Sequence, residues 1–212
     1  MIVKQCMVGV MAVYCYLVAC EETKKGLLID PGGDEEKILA LCKQEGVTVE
    51  YIVNTHAHPD HVCANRVIKE QTGAKIVMHE EDVAFFEKPM VQLFFGQLGL
   101  PSSPPADVPV KDGDTISVGK VVLTVIHTPG HTPGGICLYG QGQLFTGDTL
   151  FVNGLGRTDF PGGSASALMN SIRKRLLTLP PETVVWPGHG YGGARSTIGI
   201  EKDNNPYLSG EF

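Results

Sequence analysis

Thr55-His56-Ala57-His58-Pro59-Asp60-His61 follows directly on the β-rich run Val49-Glu50-Tyr51-Ile52-Val53-Asn54. Three imidazoles and a carboxylate within six residues cannot all find apolar surroundings, so a packed-core role is hard to defend and metal ligation suits them. On an extended segment residues i and i+2 point the same way, which lets His56 and His58 reach one ion together. Asp60 and His61 are adjacent and diverge toward a different point. One short loop thus addresses two metal positions.

A zinc-type ion takes three or four ligands, and the remaining donors are expected in turns just after strands. Three candidates stand there: His131 in Thr128-Pro129-Gly130-His131-Thr132-Pro133-Gly134, Asp148 in Thr146-Gly147-Asp148-Thr149, and His189 in Pro187-Gly188-His189-Gly190.

Around these turns the chain reads as alternating strand and helix, which gives an α/β class. Two opening strands lead to Asp30-Pro31-Gly32-Gly33, a turn. Asp34 then stands at the N-cap of a helix ended by Gly46, and residues 49 to 54 form a strand. A second helix spans residues 62 to 72, stopped by Gly73, and a strand covers 75 to 78. Residues 88 to 114, with five prolines and the apolar run Val91-Gln92-Leu93-Phe94-Phe95, read as an irregular insertion holding a short helix. Phe94, Phe95 and Leu98 make it the expected wall of an acyl or thiol pocket. Strands follow at 115 to 118, 121 to 127, 135 to 139 and 143 to 146. Ser164 caps a helix with a Leu168, Ile172, Leu176, Leu179 stripe, and Val184-Val185-Trp186 forms a last strand.

The chain has 212 residues, 42% hydrophobic and 19% charged, enough for one substantial core, so 1–212 is expected to be a single domain. The 26 glycines and 14 prolines fall at turns without a period, which rules out collagen and low-complexity disorder. A net charge of -6 and the absence of basic clusters with interleaved aromatics argue against a nucleic-acid ligand. Arg173-Lys174-Arg175 reads as the solvated face of a helix. Six cysteines at 6, 15, 20, 42, 63 and 137 form no C-x-x-C pair, which fits a reducing, cytoplasmic setting. Leu17-Val18-Ala19-Cys20 imitates a lipoprotein signal, but Tyr14 and Tyr16 interrupt the apolar run and a strand hairpin explains it better. No stretch reaches the ~18 apolar residues of a membrane span. Glu211-Phe212 carries no argument.

The ordered set H-x-H-x-D-H, P-G-H-T-P-G, T-G-D-T and P-G-H resembles the metallo-β-lactamase superfamily over essentially the whole chain. Leu28-Ile29-Asp30-Pro31-Gly32-Gly33 and Gly156-Arg157-Thr158-Asp159-Phe160 are similar to the small glyoxalase II-like hydrolases. The resemblance implies an αββα sandwich, two mixed sheets flanked by helices, with residues 1 to 20 as its first two strands. It also implies a binuclear site at one edge: His56, His58 and His131 on one metal, Asp60, His61 and His189 on the other, Asp148 bridging. Cys63 stands where the family has a small residue and is read as a packing thiol. His79 and His127 are read as ordinary strand-end residues. Arg157 and Asp159 either support the ligands or pair with each other.

The activity so implied is hydrolysis of thioesters such as S-lactoylglutathione by a metal-activated hydroxide, with Asp60 as the catalytic carboxylate. Two divalent ions are expected, zinc foremost, with iron or manganese as alternatives. A thiolate leaving group, pKa near ~8.5, needs no strong general acid, which favours thioesters over amides. Full-length glyoxalase II enzymes hold glutathione on a C-terminal helical domain that this chain does not match, so a high KM for the glutathione thioester is expected. The alternative activity is that of persulfide dioxygenases, which share the Gly-Arg-Thr-Asp-Phe segment and use one iron on the equivalents of His56, His131 and Asp148. The expected partner is a small-molecule substrate, with neither nucleic acid nor membrane involved.

Overall fold

The structure is a computed structural model describing residues 1–208; Glu211 and Phe212 lie outside the described residues. Strands β1 (Ile2–Val8) and β2 (Val13–Ala19) pair antiparallel along their whole length, from Ile2 opposite Ala19 to Val8 opposite Val13. β3 (Lys25–Ile29) extends the hairpin. Connections then change from turns to helices, and pairing changes from antiparallel to parallel, as a crossover requires. Helix α1 (Glu35–Glu45) leads to β4 (Thr48–Val53) beside β3, and α2 (Pro59–Val62) with α3 (Asn65–Thr72) leads to β5 (Lys75–His79) beside β4. Helices α4 (Glu80–Phe86) and α5 (Pro89–Gly96) precede β6 (Val108–Val110), parallel to β5. The first sheet therefore runs β1-β2-β3-β4-β5-β6.

The second half is a meander, β7 (Thr115–Val118), β8 (Val121–His127), β9 (Ile136–Gly140) and β10 (Gln143–Gly147), followed by the small hairpin β11 (Leu150–Phe151) and β12 (Gly154–Leu155). Helix α6 (Ala165–Ser171) runs on into a π-helical turn (Ile172–Leu176) and returns the chain to β13 (Val184–Pro187), parallel to β10. β14 (Ser196–Thr197) and α7 (Ile198–Asn204) follow, giving the order β14-β13-β10-β9-β8-β7.

Period-2 alternation with apolar residues on both faces explains the layering. Tyr16, Leu27, Ile29 and Val53 meet Leu123, Val125, Leu138 and Phe145 between the sheets. The residues between them in sequence, such as Leu17, Leu28 and Ile52, pack outward on Ile38 of α1 and Ile68 of α3. Cys137, Leu144 and Val185 do the same on Leu168, Ile172 and Leu176. The αββα arrangement is thus present. Gly46 and Gly73, both left-handed, end α1 and α3, and the Ser164 hydroxyl accepts from Ala167 N as an N-cap.

Three local expectations differ from the structure, and one helix, α4, has no counterpart in the sequence reading. Asp34 is left-handed (φ 50°) and makes no side-chain cap; its Oδ2 accepts from Gly9 N at 3.0 Å, tying α1 to the tip of the first hairpin. The helix expected over 62 to 72 is broken, because Ala64 N donates to Pro31 O instead of a carbonyl four residues back. The 88–114 segment ends in β6, a short strand with Pro109 at its centre, tolerated because β6 is an edge strand. Helix α4 carries no conventional cap: His79 Nδ1 accepts from Glu81 N. Among the described residues no helix is long and apolar enough to cross a membrane.

Candidate metal centre

The four predicted turns meet at one edge of the sandwich, beyond the carboxyl ends of β4, β8, β10 and β13, where open α/β sheets place their ligands. Two donor groups result, each with ligand atoms within 4.8 Å of one another: His56, His58, His131 and Asp60, His61, His189. Asp148 faces both. Its Oδ1 lies 3.4 Å from His61 Nε2, and its Oδ2 lies 3.6 Å from both His131 Nε2 and His189 Nε2. Asp60 Oδ2 sits 3.6 Å from His61 Nε2 and 3.5 Å from His189 Nε2. The structure therefore brings all seven predicted residues together.

Hydrogen bonds fix which ring nitrogen each histidine presents. His131 Nδ1 lies 2.7 Å from Arg157 O, and since a carbonyl only accepts, Nδ1 carries the proton. His61 Nδ1 donates to Asp30 Oδ2 at 3.0 Å. Thr55 Oγ1 gives its proton to Asp30 Oδ2 at 2.6 Å and so accepts from His56 Nδ1 at 3.0 Å. In the His56 and His131 rings Nε2 is left as a bare lone pair aimed inward, while His61 Nε2 faces His189 Nε2 at 3.2 Å. The Nε2 atoms of His56, His58 and His131 and Oδ1 of Asp148 are buried without a hydrogen-bond partner. Orphaned acceptors cost free energy in a folded protein unless something else satisfies them, and a divalent cation fits this donor set.

Two acids that carry the site were not singled out as functional in the sequence. Asp30, 1% exposed and itself left-handed (φ 49°), accepts from Thr55 N at 2.7 Å as well as from Thr55 Oγ1 and His61. It also falls within ligand distance of His56 and His61, but its oxygens are already spent on these three donors. Asp82, fully buried on α4, accepts from Ala57 N and Thr132 Oγ1 at 2.9 Å and from Gly134 N at 2.6 Å. It clamps the loop of His56 and His58 to the loop of His131. A third local requirement is Gly188, where a Cβ would collide with Asp148 Oδ1.

Asp30→Asn should expose the role of the first acid. The new amide would turn an N–H toward the His61 Nδ1 proton, two donors face to face, and the ring relieves this by moving its proton to Nε2. Affinity for metal in the Asp60, His61, His189 group is then expected to fall by about 10–100-fold, read by chelator competition; unchanged affinity would show that Asp30 does not set the tautomer.

Charge at the centre follows burial and neighbours. His56, His58 and His131 are lowered below the usual histidine range, first by burial. Burial also opposes the charged form of His61, but Asp148, Asp60 and Asp30 outweigh it and raise it to about 10. Asp60 is held low by His61 and His189 against the effect of burial. A histidine raised on folding stabilises fully below its unfolded value of 6.5 and loses that contribution as pH rises through about 10. Chelator-treated protein is therefore expected to melt several degrees lower at pH 10 than at pH 6.5. Zinc-loaded protein, with His61 Nε2 already deprotonated, should show a smaller drop; equal drops would refute the assignment. His56, His58 and His131 do not disturb this window, because groups held neutral by burial weaken the fold only at lower pH.

Other side chains that were open questions in the sequence find clear places. The Arg157 guanidinium pairs with both oxygens of Asp159 at 2.8 and 2.6 Å and lies 3.7 Å over the Phe160 ring. Its support for the site comes from its backbone, through the carbonyl on His131. Cys63 is buried and burial pushes its thiol up to about 11, as a packing residue would show. All six cysteines are free. His79 and His127 end their strands and stack at 4.1 Å; His79 Nδ1 serves the α4 cap and His127 Nε2 donates to Pro133 O. Arg173, Lys174 and Arg175 are exposed, with Arg175 paired to Asp112. Aromatic rings frame the site: Phe86, Phe95 and Phe160 against His58, and the exposed Tyr191 stacked on His189.

Comparison with known proteins agrees with this architecture. A hydroxyacylglutathione hydrolase of Haemophilus influenzae, GloC, is 35% identical over 92% of both chains. A hydroxyacylglutathione hydrolase of Polaromonas sp. is 39% identical over 89% of this chain and 67% of its own. Among solved structures, ETHE1 from Myxococcus xanthus superposes with a TM-score of 0.86 at 34% identity, covering this whole chain and 86% of its own. TTHA1623 in a di-iron-bound form gives 0.84 at 37% identity, covering 97% of this chain and all of its own. The model of the metallo-beta-lactamase superfamily matches residues 8–189, from the first strand to the last histidine of the centre, and the chain belongs to that superfamily.

Proposed function

We propose that the protein is a binuclear hydrolase of thioesters, of which S-lactoylglutathione is the reference substrate. The position of Asp148 carries this reading: its two oxygens face histidines of both donor groups, which two adjacent ions would require and a single ion would not. In this reading His56, His58 and His131 hold one ion, Asp60, His61 and His189 the other, and Asp148 bridges them. Zinc is the first choice, with iron or manganese accepted by the same mixed His/carboxylate set.

Ions bound there supply Lewis acidity, which acidifies water and polarises a carbonyl. The protein's own contribution is orientation. Asp60 has the most open side chain of the seven, 17% exposed, and so can accept a hydrogen bond from the attacking water while still facing His61 and His189. Asp30 and the Arg157 carbonyl hold ring protons on Nδ1 and away from the reaction. Water adds across the acyl C–S bond, giving a carboxylate, a thiol and a proton. Since a thiolate of pKa ~8.5 leaves readily, no acid beyond solvent is needed. The two relatives named as hydroxyacylglutathione hydrolases support the substrate class.

Elemental analysis with a thioesterase assay tests the proposal. Two divalent ions per chain and turnover of S-lactoylglutathione are expected. A single iron per chain, rapid oxygen uptake with glutathione persulfide and negligible thioester cleavage would overturn it in favour of a persulfide dioxygenase.

A further inference from the structure

A cavity of about 450 Å³ lies between the ligand loop and the segment from α4 to β6, and nothing in the metal centre uses it. Its volume falls within the range of sites that enclose small organic ligands. Ala57, Pro59 and Val62 form the inner wall, so it begins at the residues interleaved with the ligands His56, His58 and Asp60. Phe86 and Phe95 form another wall and touch the His58 ring, with centroids 5.7 and 4.8 Å away. The Phe86 and Phe95 rings of the cavity wall thus lie directly against a ring of the metal centre. Pro101, Pro104 and Pro105 build the far side, where fixed φ angles keep the loop from collapsing inward.

The lining also selects by charge. It holds two acids, Asp82 and Glu87, and among the described residues no lysine or arginine. A carboxylate-bearing carrier such as glutathione would be desolvated there beside like charges. An uncharged hydrocarbon chain would instead meet Val62, Met78, Val83 and Leu100.

We propose that this cavity seats the acyl chain of the substrate, making medium-length straight-chain acyl thioesters better substrates than the short hydroxyacyl thioester S-lactoylglutathione. The inference rests on the thioester reading above. The acyl carbonyl stays at the metal centre, its chain runs past Pro59 into the cavity, and the thiol carrier remains on the solvent side.

The test uses metal-loaded protein and a series of S-acylglutathiones, acetyl, butanoyl, hexanoyl and octanoyl, so that only the chain varies. Each buried methylene is expected to raise kcat/KM about fourfold. Ala106→Phe, which fills the cavity from the β6 side, and Leu100→Trp, on the loop, should each cut the octanoyl-to-acetyl ratio of kcat/KM by about tenfold or more. A variant that is merely less well folded lowers both rates and leaves the ratio unchanged. In parallel, binding of octan-1-ol to wild-type protein is followed by calorimetry, with saturable binding expected and its loss expected in both variants. Thioester turnover with a flat chain-length profile would overturn the acyl site and leave the thioesterase intact. No thioester turnover together with saturable octanol binding would overturn the thioesterase and retain the cavity as an apolar-chain site. Failure of both measurements would overturn both.

Discussion

Asp60→Asn is expected to fold normally and to lose hydrolysis by about three orders of magnitude, the scale seen when a group acting on protons in the transition state is removed. Asp60 sits in the first turn of α2 with its side chain partly open, so no core contact depends on it. The amide keeps one oxygen for a metal but loses the negative charge that holds the centre together. It also turns an N–H toward His61 Nε2 or His189 Nε2, now 3.6 and 3.5 Å from the carboxylate oxygen. Turnover should be compared at matched metal content. Near wild-type rates at full occupancy would remove Asp60 from the role proposed for it.

For Asp148→Ala the expected loss is of metal, and with it all measurable activity. Asp148 is a carboxylate turned toward the Nε2 atoms of both groups, three of which lie within 3.4 to 3.6 Å of it. Without it, four positive charges of two ions would have to be balanced by Asp60 and, at one remove, Asp30. Because metal binding to a folded site adds directly to stability, wild-type protein should melt higher with zinc and the variant should not. Equal zinc-induced shifts in the two proteins would show that Asp148 is not a ligand.

Much of the centre was legible because its spacing is local. His56 and His58 share a side of an extended segment, Asp60 and His61 diverge within a helical turn, and glycines before His131 and His189 mark the turns that follow strands. In the structure, strand alternation puts Leu17 and Leu28 on the face opposite Tyr16 and Leu27. Signals that compete with local rules were misread. Asp34 looks like a cap but serves Gly9. The break in the helix after Cys63 is invisible in sequence because its cause is a carbonyl at Pro31. The strand β6 hides behind Pro109, and α4 behind a histidine cap.

The amino-acid sequence by itself determined the fold class, the succession of strands and helices, and the seven residues that converge at the sheet edge, since each follows from geometry within a few neighbouring residues. Only the tertiary structure decided what surrounds them. Asp30 meets His61 across 31 residues, and Asp82 meets Ala57, Thr132 and Gly134 across 25, 50 and 52. The acyl-sized cavity needs the loop of α2 and the 80–106 segment to face each other. Such pairs are made by the order in which strands enter the sheets, and no window of a few residues contains that order.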